Sequence, residues 1–134
     1  MIGDNMKIMI VDDSGVMRRI HKNSLKEHEI DDESLLEAED GAKALEMAKN
    51  EKINIFLVDW NMPKLDGLTF IKTLRKIDVY KSTPMIMITS EAARYNVMEA
   101  ITGGVTDYIV KPIKGEMLWE KIVPYINEVI NNES

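Results

Sequence analysis

Cysteine is absent from the 134 residues. That excludes disulfides, thiolate metal sites and cysteine nucleophiles, and it suits a reducing compartment. No stretch approaches the ~18 consecutive apolar residues that a membrane span needs. The segment Met1 to Asn5 carries Asp4 and lacks both a basic start and an apolar run, so it does not read as a signal peptide. Cytoplasmic residence, with no membrane partner, is the expectation. Basic residues are outnumbered, 17 against 23 acidic ones, and the formal net charge is −6. An acidic domain is repelled by phosphate backbones, which argues against direct nucleic-acid binding. The basic cluster Met17-Arg18-Arg19 is short and reads as a solvated helix face. Internal repeats, low-complexity stretches and linkers are missing too. The expectation is one domain over residues 1–134, with its core at about 7–131.

What is present is an alternation. Short apolar runs occur at Ile8-Met9-Ile10-Val11, Leu35-Leu36, Ile55-Phe56-Leu57-Val58, Met85-Ile86-Met87-Ile88 and Tyr108-Ile109-Val110. The central runs are continuously apolar and rich in branched residues, as strands buried on both faces are. Helical spacing fills the gaps. Gly41 to Asn50 sets Ala44, Leu45 and Ala48 on one face, with Asp40 as a candidate cap. Gly67 to Ile77 aligns Phe70, Leu74 and Ile77, and Glu91 to Thr102 aligns Val97 and Ile101 before Gly103-Gly104. Gly115 to Asn131 aligns Leu118, Ile122, Ile126 and Val129. Five strand–helix units of this kind predict an α/β, doubly wound, five-stranded parallel sheet with helices on both faces. In such sheets ligands bind at the carboxyl ends of the strands.

Those ends are chemically loaded. The first strand ends in Asp12-Asp13-Ser14, the third in Asp59, the fourth in Thr89-Ser90-Glu91 and the fifth in Lys111-Pro112. Three carboxylates at one sheet edge repel one another. A hard cation with oxygen ligands, Mg²⁺ above all, relieves that conflict and leaves positions open for water or phosphate. Lys111 supplies a cation for a phosphoryl oxygen and Thr89 a hydroxyl donor. A carboxylate can itself accept the phosphoryl group as an aspartyl phosphate. Asp59 is the natural acceptor, because the central strand sets it between the acid pair and the lysine. Taken singly, Asp12, Asp13 or Ser14 could equally cap a helix, and Lys111 could be a surface charge. The joint arrangement is what carries the reading.

These motifs resemble the receiver domains of two-component response regulators. The resemblance rests on Val11-Asp12-Asp13-Ser14, Asp59, Met62-Pro63 with Asp66-Gly67, Thr89, and Lys111-Pro112, and it spans about Lys7 to Asn131. Within the family the chain is most similar to the single-domain chemotaxis regulators, through Asp59-Trp60-Asn61-Met62-Pro63 and Glu37-Ala38-Glu39-Asp40-Gly41. The resemblance implies a flavodoxin-like fold with strand order 2-1-3-4-5. It implies Asp59 as phosphoacceptor, with Asp13, Asp59 and the Asn61 carbonyl ligating Mg²⁺ and Asp12 assisting through water. Lys111 would pair with the phosphoryl group, Thr89 would move to hydrogen-bond it, and Tyr108 would change rotamer as the readout. The Lys111-Pro112 bond is commonly cis in relatives. Asn61 and Glu91 would tune self-dephosphorylation. Arg94, Val97, Ile101, Val105, Tyr108 and Val110 would form the partner face. The implied partners are a sensor histidine kinase of the chemotaxis type, a flagellar motor switch or other output protein, and a phosphatase. Catalysis would extend only to the domain's own phosphorylation and dephosphorylation. The alternative is a phosphorelay intermediate that passes its phosphate to a histidine phosphotransferase.

Some features depart from that pattern. The first helix runs toward His28-Glu29 without the usual glycine stop, and strand two is the least defined element. Both His21 and His28 read as exposed helix residues, and Pro124 predicts a kink near Glu120 in the last helix. The ten methionines read as core packing. Two rivals share parts of the chemistry. An aspartate-nucleophile phosphatase would place its two acids two residues apart after the first strand, whereas here they are adjacent. A flavin-binding domain needs backbone N–H donors in the first loop, which here opens with two carboxylates. The chain stops soon after the fifth helical pattern, so output is expected through a partner.

Overall fold

The computed structural model describes the backbone of residues 6–62, 65–90 and 94–133, with the side chains of all but 94–96 and 133. Five parallel strands form one sheet: β1 (Ile8–Val11), β2 (Leu35–Ala38), β3 (Ile55–Asp59), β4 (Met85–Thr89) and β5 (Asp107–Val110). The order is β2-β1-β3-β4-β5, as the family resemblance implied. Five α-helices connect and follow them: α1 (Gly15–Lys26), α2 (Gly41–Asn50), α3 (Gly67–Arg75), α4 (Arg94–Thr102) and α5 (Met117–Glu133). Short 3₁₀ turns at Asp32–Ser34 and Asp78–Tyr80 lead into β2 and β4.

Residues alternate between the two faces of the central strands, so each apolar run feeds two cores. Met9, Val11, Phe56, Val58, Met85 and Met87 pack with Ala44 and Ala48 of α2 and Phe70, Ile71 and Leu74 of α3. Ile8, Ile10, Ile55, Leu57, Ile86 and Ile88 pack with Leu25 of α1 and Leu118, Ile122 and Ile126 of α5. Burial on both faces is why these strands carry no polar alternation.

Helix starts follow capping chemistry. Ser14, Asp40 and Asp66 each accept a hydrogen bond from the N–H three residues on, at Met17, Lys43 and Thr69. Ser14 is therefore the cap of α1, which leaves the Asp12 and Asp13 carboxylates for other work. After α1 the chain turns at Glu29 with φ of 65°, a left-handed conformation where the sequence lacks glycine. At the other end, Gly115 has φ of 55° and lies outside α5, which begins two residues later than its apolar pattern suggested. The last helix then continues as one element through Pro124, with Ile122 and Ile126 buried in the same core on either side.

Candidate functional site

The carboxyl ends of β1 and β3 lie side by side, since Val11 is in register with Val58. This brings Asp12, Asp13 and Asp59 together. Each offers one oxygen, and the three lie within 4.8 Å of one another. Asp12 and Asp59 are buried and Asp13 is exposed. The Asp59 peptide region is held from below by close approach of α3. Gly67 N–H donates to the Trp60 carbonyl at 2.9 Å, and a Cβ on Gly67 would sit 2.4 Å from the Asp59 carbonyl oxygen. Only glycine permits that approach.

Lys111 follows β5 and reaches back across the edge. Its Nζ is 3.3 Å from Asp59 Oδ1. The Lys111-Pro112 bond is cis. Thr89 ends β4 and is buried, in register with Val110, while Ser90 beyond it is exposed. Asn61 is exposed beside the site. Glu91 lies outside the described residues.

The electrostatics are unbalanced. Three carboxylates face one ammonium among the described residues. Burial pushes the Asp12 carboxyl above its ordinary value, a hydrogen bond from the Ser14 N–H opposes this, and neighbouring Asp59 raises it further. Its second oxygen, Oδ2, is buried with no hydrogen-bond partner. A buried carboxylate oxygen without a donor is costly, and a bound cation is the kind of partner that satisfies it. All-oxygen donors and a net excess of two negative charges suit a hard divalent ion.

Three residues on or beside α1 sit differently from their sequence-based expectation. Arg18 Nη1 donates to the Asp12 carbonyl at 2.6 Å and Arg18 Nε to Glu37 at 3.0 Å, so it braces the acid-bearing loop instead of lying on a solvated face. His21 is 2% exposed, which corrects its reading as a surface residue. Burial, aided by the charge of Lys111, lowers its pKa to about 4. The missed signal was spacing: Met17, His21 and Leu25 recur every four residues along the inner stripe of α1. His28 is half-buried rather than exposed; it stacks on Trp119 with ring centroids 4.2 Å apart and approaches Glu116.

The candidate partner face is mixed. Ile101 is 57% exposed, and Val97, Tyr108 and Val110 are half-buried. Val105 is 5% exposed and belongs to the core, because the turn at Gly103-Gly104 folds it back against the sheet; a partner cannot touch it directly. The Arg94 side chain lies outside the described residues. Lys121 sits 5.8 Å above the Tyr108 ring and pairs with Asp107, which also accepts a hydrogen bond from Tyr125. Among the described residues, no helix is long and apolar enough to cross a membrane.

Residues 8–123 match the family model of the response regulator receiver domain. A chemotaxis protein CheY homolog of Campylobacter jejuni is 43% identical over 118 residues, covering 87% of this chain and 89% of the relative. Chemotaxis protein CheY1 of Helicobacter pylori is 42% identical over 118 residues, covering 87% and 94%. The solved structure of Vibrio cholerae chemotaxis protein CheY4 superposes with a TM-score of 0.83 at 30% identity, covering 90% of this chain and 98% of that one. With its acid cluster, its opposed lysine and its sheet order, the chain belongs to the response regulator receiver domain family.

Proposed function

We propose that this receiver domain accepts a phosphoryl group on Asp59 from the phosphohistidine of a sensor kinase, and that the modified form changes its affinity for an output partner. The observation that carries the reading is the meeting of Asp12, Asp13 and Asp59 within 4.8 Å, with Lys111 Nζ 3.3 Å from the central carboxylate. An Asp59 oxygen attacks phosphorus, the new O–P bond forms as the N–P bond breaks, and the imidazole, protonated on its other ring nitrogen in the phosphohistidine, leaves neutral. Lys111 then moves its ammonium from the carboxylate to a phosphoryl oxygen, and the Thr89 hydroxyl donates to another. Mg²⁺ would be held by Asp12, Asp13, Asp59 and the Asn61 carbonyl, and when bound it neutralises charge on the transferring group.

The signal is a local charge change read at a distance. Thr89 and Tyr108 lie on neighbouring strands, so drawing Thr89 toward the phosphoryl group alters the packing under Tyr108. The surface around Val97, Ile101, Tyr108 and Val110 responds, with Val105 supporting it from inside. The likeness to chemotaxis proteins supports a chemotaxis-type kinase and a flagellar motor switch protein as partners, in the cytoplasm. Asn61, exposed beside the acceptor, would set the phosphoryl lifetime together with Glu91. We read the whole of 1–134 as this single receiver unit.

The test is to incubate the protein with acetyl phosphate, with and without Mg²⁺, and weigh it intact beside Asp59→Asn. The expected result is Mg²⁺-dependent gain of one phosphoryl group, absent in the variant. Equal gain in the variant, or none in either protein, overturns the assignment.

A further inference from the structure

Beside the acid cluster, on the other side of Lys111, the fold holds a second feature. Between α1 and the segment joining β5 to α5 lies a cavity of about 700 Å³. That is within the ~300–1,000 Å³ of small-molecule sites. Its walls are apolar, formed by Met17 and Ile20 of α1 with Ile113 and Leu118 opposite. Lys111 and the hydroxyls of Ser24 and Ser90 can donate hydrogen bonds, and no carboxylate appears among the described lining residues. His21 also lines it, almost fully buried, and its Nε2 has no hydrogen-bond partner.

That nitrogen is closed to water, so the polar groups a ligand can reach are Lys111 and the serine hydroxyls. Isoleucine 20 at the rim is half exposed, as an open mouth requires. Apolar walls call for an apolar body. A cationic, donor-rich end calls for an anion, because Lys111 donates and cannot accept.

We propose that this cavity binds a small monocarboxylic acid with an apolar aryl or acyl body, its carboxylate meeting Lys111 and Ser90. The bound carboxylate competes with Asp59 for the Lys111 ammonium, now at 3.3 Å, and so slows phosphorylation. This second clause rests on the proposed role of Asp59, whereas the binding itself does not.

Phenylbutyrate and its uncharged analogue phenylbutanol serve as probes in calorimetric titrations of the full chain. The acid is expected to bind one saturable site and the alcohol about tenfold more weakly, since the charge-assisted contacts are lost. The His21 ring nitrogens should shift in NMR spectra on titration while those of His28 stay still. Ser24→Trp fills the cavity from the less buried side of α1 and should abolish binding, and Ser90→Ala, which keeps the walls and removes one donor, should weaken it. No saturable binding of the acid, equal binding of the alcohol, or binding indifferent to both variants overturns the site. In the phosphorylation assay the acid should slow gain of the phosphoryl group in the wild type and not in Ser24→Trp. Saturable binding without slowing overturns the competition for Lys111. Absence of phosphorylation even without the acid counts against the Asp59 reading, and the calorimetry then still decides the cavity.

Discussion

Replacing His21 by leucine should remove most of one component of acid sensitivity. His21 is buried against α5 and the Lys111 region, and its pKa falls from 6.5 to about 4. As pH drops below about 6.5 the unfolded chain takes up a proton at this residue, while the folded chain stays neutral until about 4. The unfolded state therefore binds more protons across that window, and folding stability falls as pH falls through it. The full shift corresponds to about 3 kcal/mol, complete by about pH 4 and absent above about pH 6.5. The raised pKa of Asp12 acts in the opposite sense, because the folded state there holds its proton to higher pH. Both proteins share that contribution, so the difference between them isolates His21. Urea unfolding of wild type and His21→Leu over this range gives the comparison. The variant should gain on the wild type steadily as pH falls, by about 3 kcal/mol in all. Parallel pH profiles for the two proteins would refute the assignment of a buried neutral imidazole.

Other expectations follow from specific contacts. Gly67→Ala forces a methyl against the Asp59 carbonyl, so it should cost about 1–3 kcal/mol in chemical denaturation and slow phosphorylation. Tyr80→Phe deletes a buried hydroxyl that donates toward the Ala48 and Glu51 carbonyls and accepts from the Ile53 N–H, and should cost about 1–3 kcal/mol by the same assay. Mg²⁺ should raise the melting temperature by relieving the clustered carboxylates, and Asp13→Asn, at the exposed member of the acid cluster, should remove most of that rise without unfolding the protein.

The sheet and the acid cluster were legible because each strand announces itself as an unbroken apolar run and the chemistry follows directly after it. Asp12, Asp13, Asp59 and Lys111 needed only the rule that parallel strands end at one edge. What escaped was set by packing between elements. The α1 stripe places a histidine where a hydrophobe is expected, and a polar residue type masks the buried spacing. Arg18 reads as surface charge because its partners are a backbone carbonyl and the Glu37 carboxylate on another element, which leave no local mark in a sequence. Val105 reads as outward with its neighbours, yet the turn at Gly103-Gly104 sends it into the core. Pro124 sits in a helix whose flanking isoleucines are both buried, so tertiary packing keeps the element continuous despite the missing N–H.

The central claim is that the phosphoryl group resides on Asp59 as an acyl phosphate. Borohydride reduces an acyl phosphate to an alcohol, which converts a phosphorylated aspartate to homoserine. Treating the protein after incubation with acetyl phosphate and Mg²⁺, then sequencing its peptides by mass spectrometry, locates the acceptor. Homoserine at position 59, absent when Mg²⁺ is withheld, is the predicted result. Homoserine at position 12 or 13, or a phosphoryl group that survives reduction on a hydroxyl or imidazole, would contradict the account.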